Sequence, residues 1–289
     1  MIVTVAYNSG AVLPGLAADL ARQTLPPRTW LVVDNSPCSA PLPQTVLRAS
    51  GVPLQPLTGV EGEGFADGCN RAFDWLAARG WRGWVWLLNP DIALPRGDEL
   101  AEMLQRLGEL PPGALVGTAV SDGDAGVEAS GGWIDPGLAF RRRRLGPESL
   151  QRGQPVAVDW LSGCSLALRP EAHCPSARFD PRFPLYYEDQ DLCLRLGRRG
   201  APVLWQPVPQ VVHRRGTGSA APGPRRVRLS TLGYLRFLRR HCPGWVFALR
   251  AARLLSLSLL RLPLRPRRSV AALGALATVL IEGLRGDPA

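Results

Sequence analysis

Acidic side chains stand in this chain where a carboxylate can do chemistry. The run Trp84-Val-Trp-Leu-Leu-Asn-Pro-Asp91 reads as a buried strand that stops abruptly at Pro90. Proline has no N–H to give a sheet ladder, so the strand ends and Asp91 projects beyond its carboxyl edge. A carboxylate there suits a divalent cation carrying a phosphorylated ligand. The other reading makes Asp91 a cap for a helix near residues 96–107. Asp34 ends a second apolar strand in Leu31-Val-Val-Asp-Asn-Ser36. It could accept hydrogen bonds from a base N–H or a ribose hydroxyl, although Asp and Asn are also ordinary turn formers.

Tyr186-Tyr-Glu-Asp-Gln-Asp-Leu-Cys-Leu-Arg195 crowds acids at a helix start, where the helix dipole favours negative charge. Asp191 and Arg195 are four apart and can pair on one face, so Asp191 orders the segment. Glu188 and Asp189 are left to point elsewhere, and one of them can take a proton from an acceptor hydroxyl. Plain helix-start acidity is the alternative. His213 follows an apolar strand and precedes Arg214 and Arg215. A neutral imidazole there could ligate a metal while the arginines contact phosphate, or it is a surface histidine. His173 and His241 have no comparable context. Gly62-Glu-Gly-Phe-Ala-Asp-Gly-Cys-Asn70 is a glycine-rich helix entry that lets backbone approach an anion. It lacks the Lys-Ser/Thr ending of a P-loop and the G-x-G-x-x-G spacing of dinucleotide folds.

The elements that must position these groups alternate. Apolar runs at residues 2–6, 30–33, 52–57 and 84–88 read as strands; residues 11–22 and 65–79 carry helical spacing. Such βαβ alternation predicts a parallel sheet whose ligands gather at the strand carboxyl ends, where Tyr7, Asn8, Asp34 and Asp91 fall. From about residue 110 the pattern changes. Strands are expected at 114–119, 127–133, 156–169 and 202–205, a hairpin or loop around 141–144, and a helix at 187–199. Residues 216–224, rich in Gly, Ala and Pro, are the linker candidate. Beyond them two helices with basic and apolar faces are expected. The longest uncharged run there, 269–281, is shorter than the roughly 20 residues a bilayer crossing needs. This tail suits an anionic membrane surface or packs back on the domain.

The 289 residues suffice for a full α/β core with an appendage. Net charge is +10, and all 34 basic residues are Arg. The sign favours nucleotide-sugars, phospholipid surfaces or nucleic acid as partners, but no nucleic-acid motif or aromatic-basic interleaving is present. The six cysteines form no C-x-x-C pair, and Cys164 and Cys174 have no His partner at zinc spacing. Free thiols and a start without a signal-like segment point to the cytoplasm.

Val5-Ala-Tyr-Asn8, Val32-Val-Asp-Asn-Ser36, Gly64-Phe-Ala-Asp-Gly-Cys-Asn70, Leu88-Asn-Pro-Asp91, Trp160-Leu-Ser-Gly163, Tyr187-Glu-Asp-Gln-Asp-Leu-Cys-Leu-Arg195 and His213 occur in the order seen in one family. Across residues 2–217 the chain resembles family 2 glycosyltransferases of the bacterial rhamnosyltransferase-like group. The resemblance implies a GT-A fold: a mixed Rossmann-like sheet flanked by helices over residues 1–222, with a basic helical tail over 223–289. It implies inverting sugar transfer from a dTDP- or UDP-linked donor, with rhamnose the group's common sugar. The acceptor would be a glycan or lipid-linked hydroxyl, and the site the inner face of the cytoplasmic membrane. On this likeness Tyr7, Asn8 and Asp34 would hold the nucleoside, and Asp67, Asn70 and Asn89 would line the donor site. Asp91 would bind Mg²⁺ or Mn²⁺, helped by His213, and Asp189 would be the base. Trp160, Ser162, Gly163 and Glu188 would lie on the acceptor side. Two features depart from the pattern: Asn89 stands where many relatives carry the first Asp of D-x-D, and Gly62 where the group often has Asn. Two other functions compete with transfer. A nucleotidyltransferase would begin with a basic, glycine-rich phosphate loop, which Tyr7-Asn-Ser-Gly10 is not. A non-catalytic, basic membrane-binding protein would have no use for Asp34, Asp91 and Asp189.

Overall fold

The computed structural model describes residues 1–39, 42–121, 126–128, 130–135, 141–145, 149, 153–173, 177–183, 185–214 and 223–285. The first half alternates as expected: β1 (Ile2–Ala6), α1 (Leu13–Ala21), β2 (Trp30–Asp34), α2 (Gln44–Ala49), β3 (Leu54–Thr58), α3 (Phe65–Ala77), β4 (Val85–Leu88), β5 (Ile92–Ala93) and α4 (Glu99–Gly108). Short strands follow: β6 (Leu115–Ser121), β7 (Val127–Glu128), β8 (Gly131–Asp135), β9 (Arg141–Arg144), β10 (Val156–Ala157), β11 (Trp160–Leu161) and β12 (Ser165–Leu168). Then come α5 (Glu188–Gly197), β13 (Val203–His213), α6 (Pro224–His241), α7 (Gly244–Arg261) and α8 (Pro266–Leu284).

The main sheet runs β10-β13-β6-β12-β4-β1-β2-β3, with β5 on β13 and β7 on β6. Strands β3, β2, β1 and β4 are mutually parallel, and β12 enters antiparallel between β4 and β6. The parallel strands are apolar on both sides because each face is covered. One core holds Leu13, Leu16, Trp30, Val32 and Leu88 beneath α1 and α4. The other holds Val5, Leu31, Val33, Leu87 and Leu192 beneath α3 and α5. A smaller sheet, β11-β8-β9, stands apart.

Several sequence expectations change. Residues 141–144, expected in a hairpin or a loop, form a strand paired antiparallel with β8, as a hairpin requires. The single strand expected over 127–133 divides between the two sheets, with Val127–Glu128 on β6 and Gly131–Asp135 in the small sheet. The stretch 156–169 divides into three strands. The strand expected at 202–205 continues to His213, with its register shifting between Gln206 and Gln210. Irregular pairing broke the alternation that sequence patterning depends on. The tail holds three helices where two were expected, because Pro243 and Pro266 each restart the chain. The expected linker at 216–224 lies mostly outside the described residues, as does Cys174; Cys38, Cys69, Cys164, Cys193 and Cys242 form no disulfide with one another.

Candidate active site

The parallel strands deliver their carboxyl ends to one edge, and the loops there are bonded together. After β1, Asn8 takes a left-handed φ of 52° and donates its backbone N–H to Ser36 Oγ at 2.8 Å. Asn tolerates that conformation better than most residues. After β2, Asp34 accepts the N–H groups of Ser36 (3.0 Å) and Leu42 (3.2 Å). Its carboxylate therefore shapes its own loop, with the remaining lone pairs available to a ligand. Tyr7 is exposed beside it.

Asn35 was not singled out in the sequence, since Asp-Asn-Ser reads as a plain turn. It is buried and donates Nδ2 to the carbonyls of Glu63 (3.3 Å) and Gly64 (3.0 Å), holding the start of α3 against β2. Gly59 makes room for it: a Cβ there would lie 1.8 Å from Asn35 Oδ1.

At the end of β4, Asn89 donates its backbone N–H to the Cys164 carbonyl at 3.1 Å and its amide to Cys164 Sγ at 3.2 Å. Asn89 therefore ties its turn to the loop before β12. Asp91 does not cap the following helix, whose N-cap is Asp98. Its carboxylate instead meets His213 Nε2 at 3.1 Å, and its carbonyl accepts the Arg214 N–H at 2.8 Å. The pairing of Ile92 with His213 across β5 and β13 brings these residues together from 122 positions apart.

Asp189 sits in the first turn of α5 and accepts the Gly163 N–H at 2.8 Å. Gly163 fills a narrow slot: a Cβ there would lie 3.2 Å from the Phe65 ring and 3.5 Å from Asp189 Cβ. The loop 162–164 thus links the base candidate to the Asn89-Pro90-Asp91 turn on one side and to α3 on the other. Asp34 lies on the same edge, two strands from the β4 turn, roughly 10 Å across the sheet.

Other predicted site residues are engaged in structure. Asp67 accepts the Gly64 N–H and caps its own helix. Burial above all raises its pKa. Asn70 uses both ends of its amide on the backbone of Phe179, at 2.8 and 2.9 Å, which corrects its placement along the donor site. Trp160 is buried against the small sheet rather than open to an acceptor. Glu188 is corrected most clearly. It is buried, not free, and its Oε2 has no hydrogen-bond partner. Burial first, and then the neighbouring Asp189, push its pKa well above the ordinary carboxylate value. Burial thus biases Glu188 towards its neutral form, while the Gly163 N–H donated to Asp189 favours charge there. Ser162 and Gly163 lie in the loop between β11 and β12, with Ser162 Oγ accepting the Cys164 N–H at 3.3 Å.

Asp191 does order its segment, with more partners than Arg195 alone. It is buried and contacts Arg195 (2.7 Å), Arg240 (3.2 Å) and His241 Nε2 (2.8 Å). His241 bridges α5 to α6, a role nothing in its own sequence neighbourhood announced.

A divalent cation fits the Asp91–His213 pair. One carboxylate and one imidazole face each other, with side chains 29% and 13% exposed; the carboxylate suits Mn²⁺ or Mg²⁺, and an imidazole beside it favours Mn²⁺ over the oxygen-preferring Mg²⁺. Among the described residues no group of three or more His, Cys, Asp or Glu gathers for a metal, so a ligand's phosphates and water would complete the shell.

Comparisons with known proteins identify relatives and a shared fold. The chain is 28% identical over 276 residues to the N-acetylglucosaminyl-diphospho-decaprenol L-rhamnosyltransferase of Mycobacterium tuberculosis, covering 86% of this chain and 87% of that relative. Among solved structures it resembles the mannosyltransferase PcManGT from Pyrobaculum calidifontis in complex with GDP-Man and Mn²⁺. That likeness has TM-score 0.56 and 14% identity, over 98% of this chain and 86% of that one. GalNAc-T7 with UDP, GalNAc and Mn²⁺ gives TM-score 0.59 at 15% identity, over 83% of this chain and 48% of the other. These structures share the GT-A fold. The model of glycosyl transferase family 2 matches residues 1–168, more than half of the chain and including the Asn89-Pro90-Asp91 turn, so the protein belongs to that family of glycosyltransferases.

Proposed function

We propose that the protein is an inverting, divalent-cation-dependent rhamnosyltransferase. Its donor is dTDP-rhamnose, and its acceptor is a hydroxyl of N-acetylglucosamine carried on a polyprenyl diphosphate at a membrane surface. Sugar and acceptor follow the relative in Mycobacterium tuberculosis, with which nearly the whole chain aligns. The observation that carries the mechanism is the link from Asp189 through Gly163 and Cys164 to Asn89 and the Asp91–His213 pair. It supports a reading in which one carboxylate serves the cation and another reaches the same crevice.

Asp34 receives the nucleoside, with Tyr7 as an open ring beside it. Asp91 and His213 would hold the cation. When bound, it would neutralise charge growing on the departing diphosphate. Asp189 takes the proton of the acceptor hydroxyl as that oxygen bonds to the anomeric carbon. The carbon–oxygen bond to the diphosphate breaks on the opposite face, so the centre inverts once. The Gly163 N–H fixes one Asp189 oxygen, which orients the carboxylate for that transfer. Burial holds neighbouring Glu188 towards its neutral form, which limits competing negative charge.

The decisive variant is Asp189→Asn, which keeps shape and removes basicity. Transfer from dTDP-rhamnose should fall by about 10²–10⁴-fold, while dTDP affinity in Mn²⁺ stays near wild type. Near-normal turnover would dismiss Asp189 as the base.

A further inference from the structure

We infer that α6 is part of the catalytic machinery: its Gly233 and the Tyr187 ring it carries are positioning residues that hold Asp189 on target. This rests on the assignment of Asp189 as base. The turn leading into α5 is strained, because Tyr186 and Tyr187 are consecutive left-handed residues, with φ of 63° and 71°. Such conformations persist for side-chain-bearing residues only where the surroundings over-determine them. Here the surroundings are α6.

Gly233 lets the helix backbone lie directly on the turn. A Cβ at that position would stand 2.7 Å from the Tyr186 carbonyl oxygen and 2.8 Å from that of Leu185. Both are backbone atoms, so no side-chain rotation relieves the clash. The Tyr187 ring then packs against Tyr234 (5.7 Å between centroids) and Phe237 (5.1 Å) on the same helix face. Further along that face, His241 holds Asp191 at 2.8 Å, in the turn of α5 that carries Asp189. Upstream, Arg236 donates to the Arg182 carbonyl and Arg240 binds Asp180, fixing the chain that enters the strained turn.

The strained residues immediately precede Asp189. The Tyr187 carbonyl accepts the Asp191 N–H at 2.8 Å, so the first helical turn grows from them. If the turn relaxed towards ordinary φ, α5 would start in another direction and the Asp189 carboxylate would leave the Gly163 N–H. The nucleoside loops after β1 and β2 meet α6 at its amino-terminal end, away from Gly233, where Arg225 donates to the Tyr7 hydroxyl at 3.2 Å. A structural role alone would lower stability and donor binding together. A positioning role separates kcat from donor KM.

The test compares Gly233→Val, Tyr187→Ala and Tyr187→Phe with wild type and Asp189→Asn. Each full-length variant is assayed with dTDP-rhamnose and a polyprenyl-diphosphate N-acetylglucosamine acceptor, and dTDP binding is measured separately. Gly233→Val and Tyr187→Ala should lose at least about tenfold in kcat, with donor KM and dTDP Kd within about twofold; Tyr187→Phe should restore kcat. Should Gly233→Val fail to fold, the Tyr187 pair carries the comparison. Unchanged kcat in Tyr187→Ala, or kcat and dTDP affinity falling together, overturns the inference. If Asp189→Asn itself keeps turnover, it is the assignment of the base that fails.

Discussion

Asp189 and Glu188 are adjacent acids with opposite fates. In sequence they are interchangeable, because both lie in the first turn of one helix. In the fold, Asp189 faces the Gly163 N–H while Glu188 turns inward, buried and with one oxygen unpartnered. Its folded pKa is raised by burial and then by Asp189. A raised carboxyl stabilises the fold below its unfolded value of about 4.5 and loses that contribution as pH climbs through the folded value. Glu188→Gln, which mimics the neutral acid, should therefore raise Tm at pH 8 by on the order of 2–4 °C and change it little at pH 4. A melting series across that range checks the sign; a variant less stable at pH 8 would mean that the fold does not raise this carboxyl. At this scale the sequence named the residues but could not assign them, since the direction of a side chain at a helix start depends on what packs against it.

The interface between α5 and α6 is held by charge and aromatic contact across 50 positions of sequence. Burial alone would raise the Asp191 carboxyl, but the His241 hydrogen bond with Arg195 and Arg240 outweighs it and keeps the pKa below the usual value. Asp180 behaves likewise, with burial outweighed by Arg182 and Arg240. Burial above all lowers His241, and Arg198 and Arg240 lower it further against the raising pull of Asp191. The partners fit a neutral ring: Arg198 donates to Nδ1 at 3.0 Å, and Nε2 donates to Asp191. A histidine held neutral weakens the interface as pH falls below 6.5, and the depressed carboxyls withdraw their contribution as pH falls below about 3.8. Protection of α6 amides, taken against the intrinsic exchange rate at each pH, should therefore fall between pH 7 and pH 5, again below pH 4, and do so before β1, β2 and β4 lose protection. Loss of protection in helix and sheet at one common pH would contradict this. The sequence pattern made α6 amphipathic but left its partner open between a membrane and the protein's own core.

Across the whole molecule the tail divides its labour. Leu232 and Leu235 of α6 pack with Ala275, Leu276 and Val279 of α8 in a small third core. The outer faces of α7 and α8 do the reverse of an ordinary solvent-facing surface. Trp245, Leu249, Leu259 and Leu260 on α7, with Val270, Ile281 and Leu284 on α8, are exposed; Leu264 between the helices is 84% exposed. Over residues 243–285 the only acid is Glu282, paired with Arg236, while Arg250, Arg253, Arg261, Arg265, Arg267 and Arg268 supply positive charge. An apolar face rimmed by arginine suits the boundary of an anionic bilayer. No helix among the described residues is long and apolar enough to cross one. Replacing Leu260 and Leu264 together by Asp should release the protein from phosphatidylglycerol vesicles in sedimentation without lowering its Tm. Unchanged sedimentation, or a change of oligomeric state instead, would assign this face to another partner.

The sequence by itself determined the parallel half of the sheet, the turns at its carboxyl edge, the acids those turns present, and the likeness to family 2 glycosyltransferases. Those features are local: a run of apolar residues, a proline without an N–H, and a glycine-rich helix entry each act within a few positions. Tertiary structure decided which acids face the crevice, that β13 runs on to bring His213 to Asp91, and that α6 grips the turn before Asp189. These are pairings between positions far apart in the chain. Geometry and burial select among partners that composition and spacing leave equivalent.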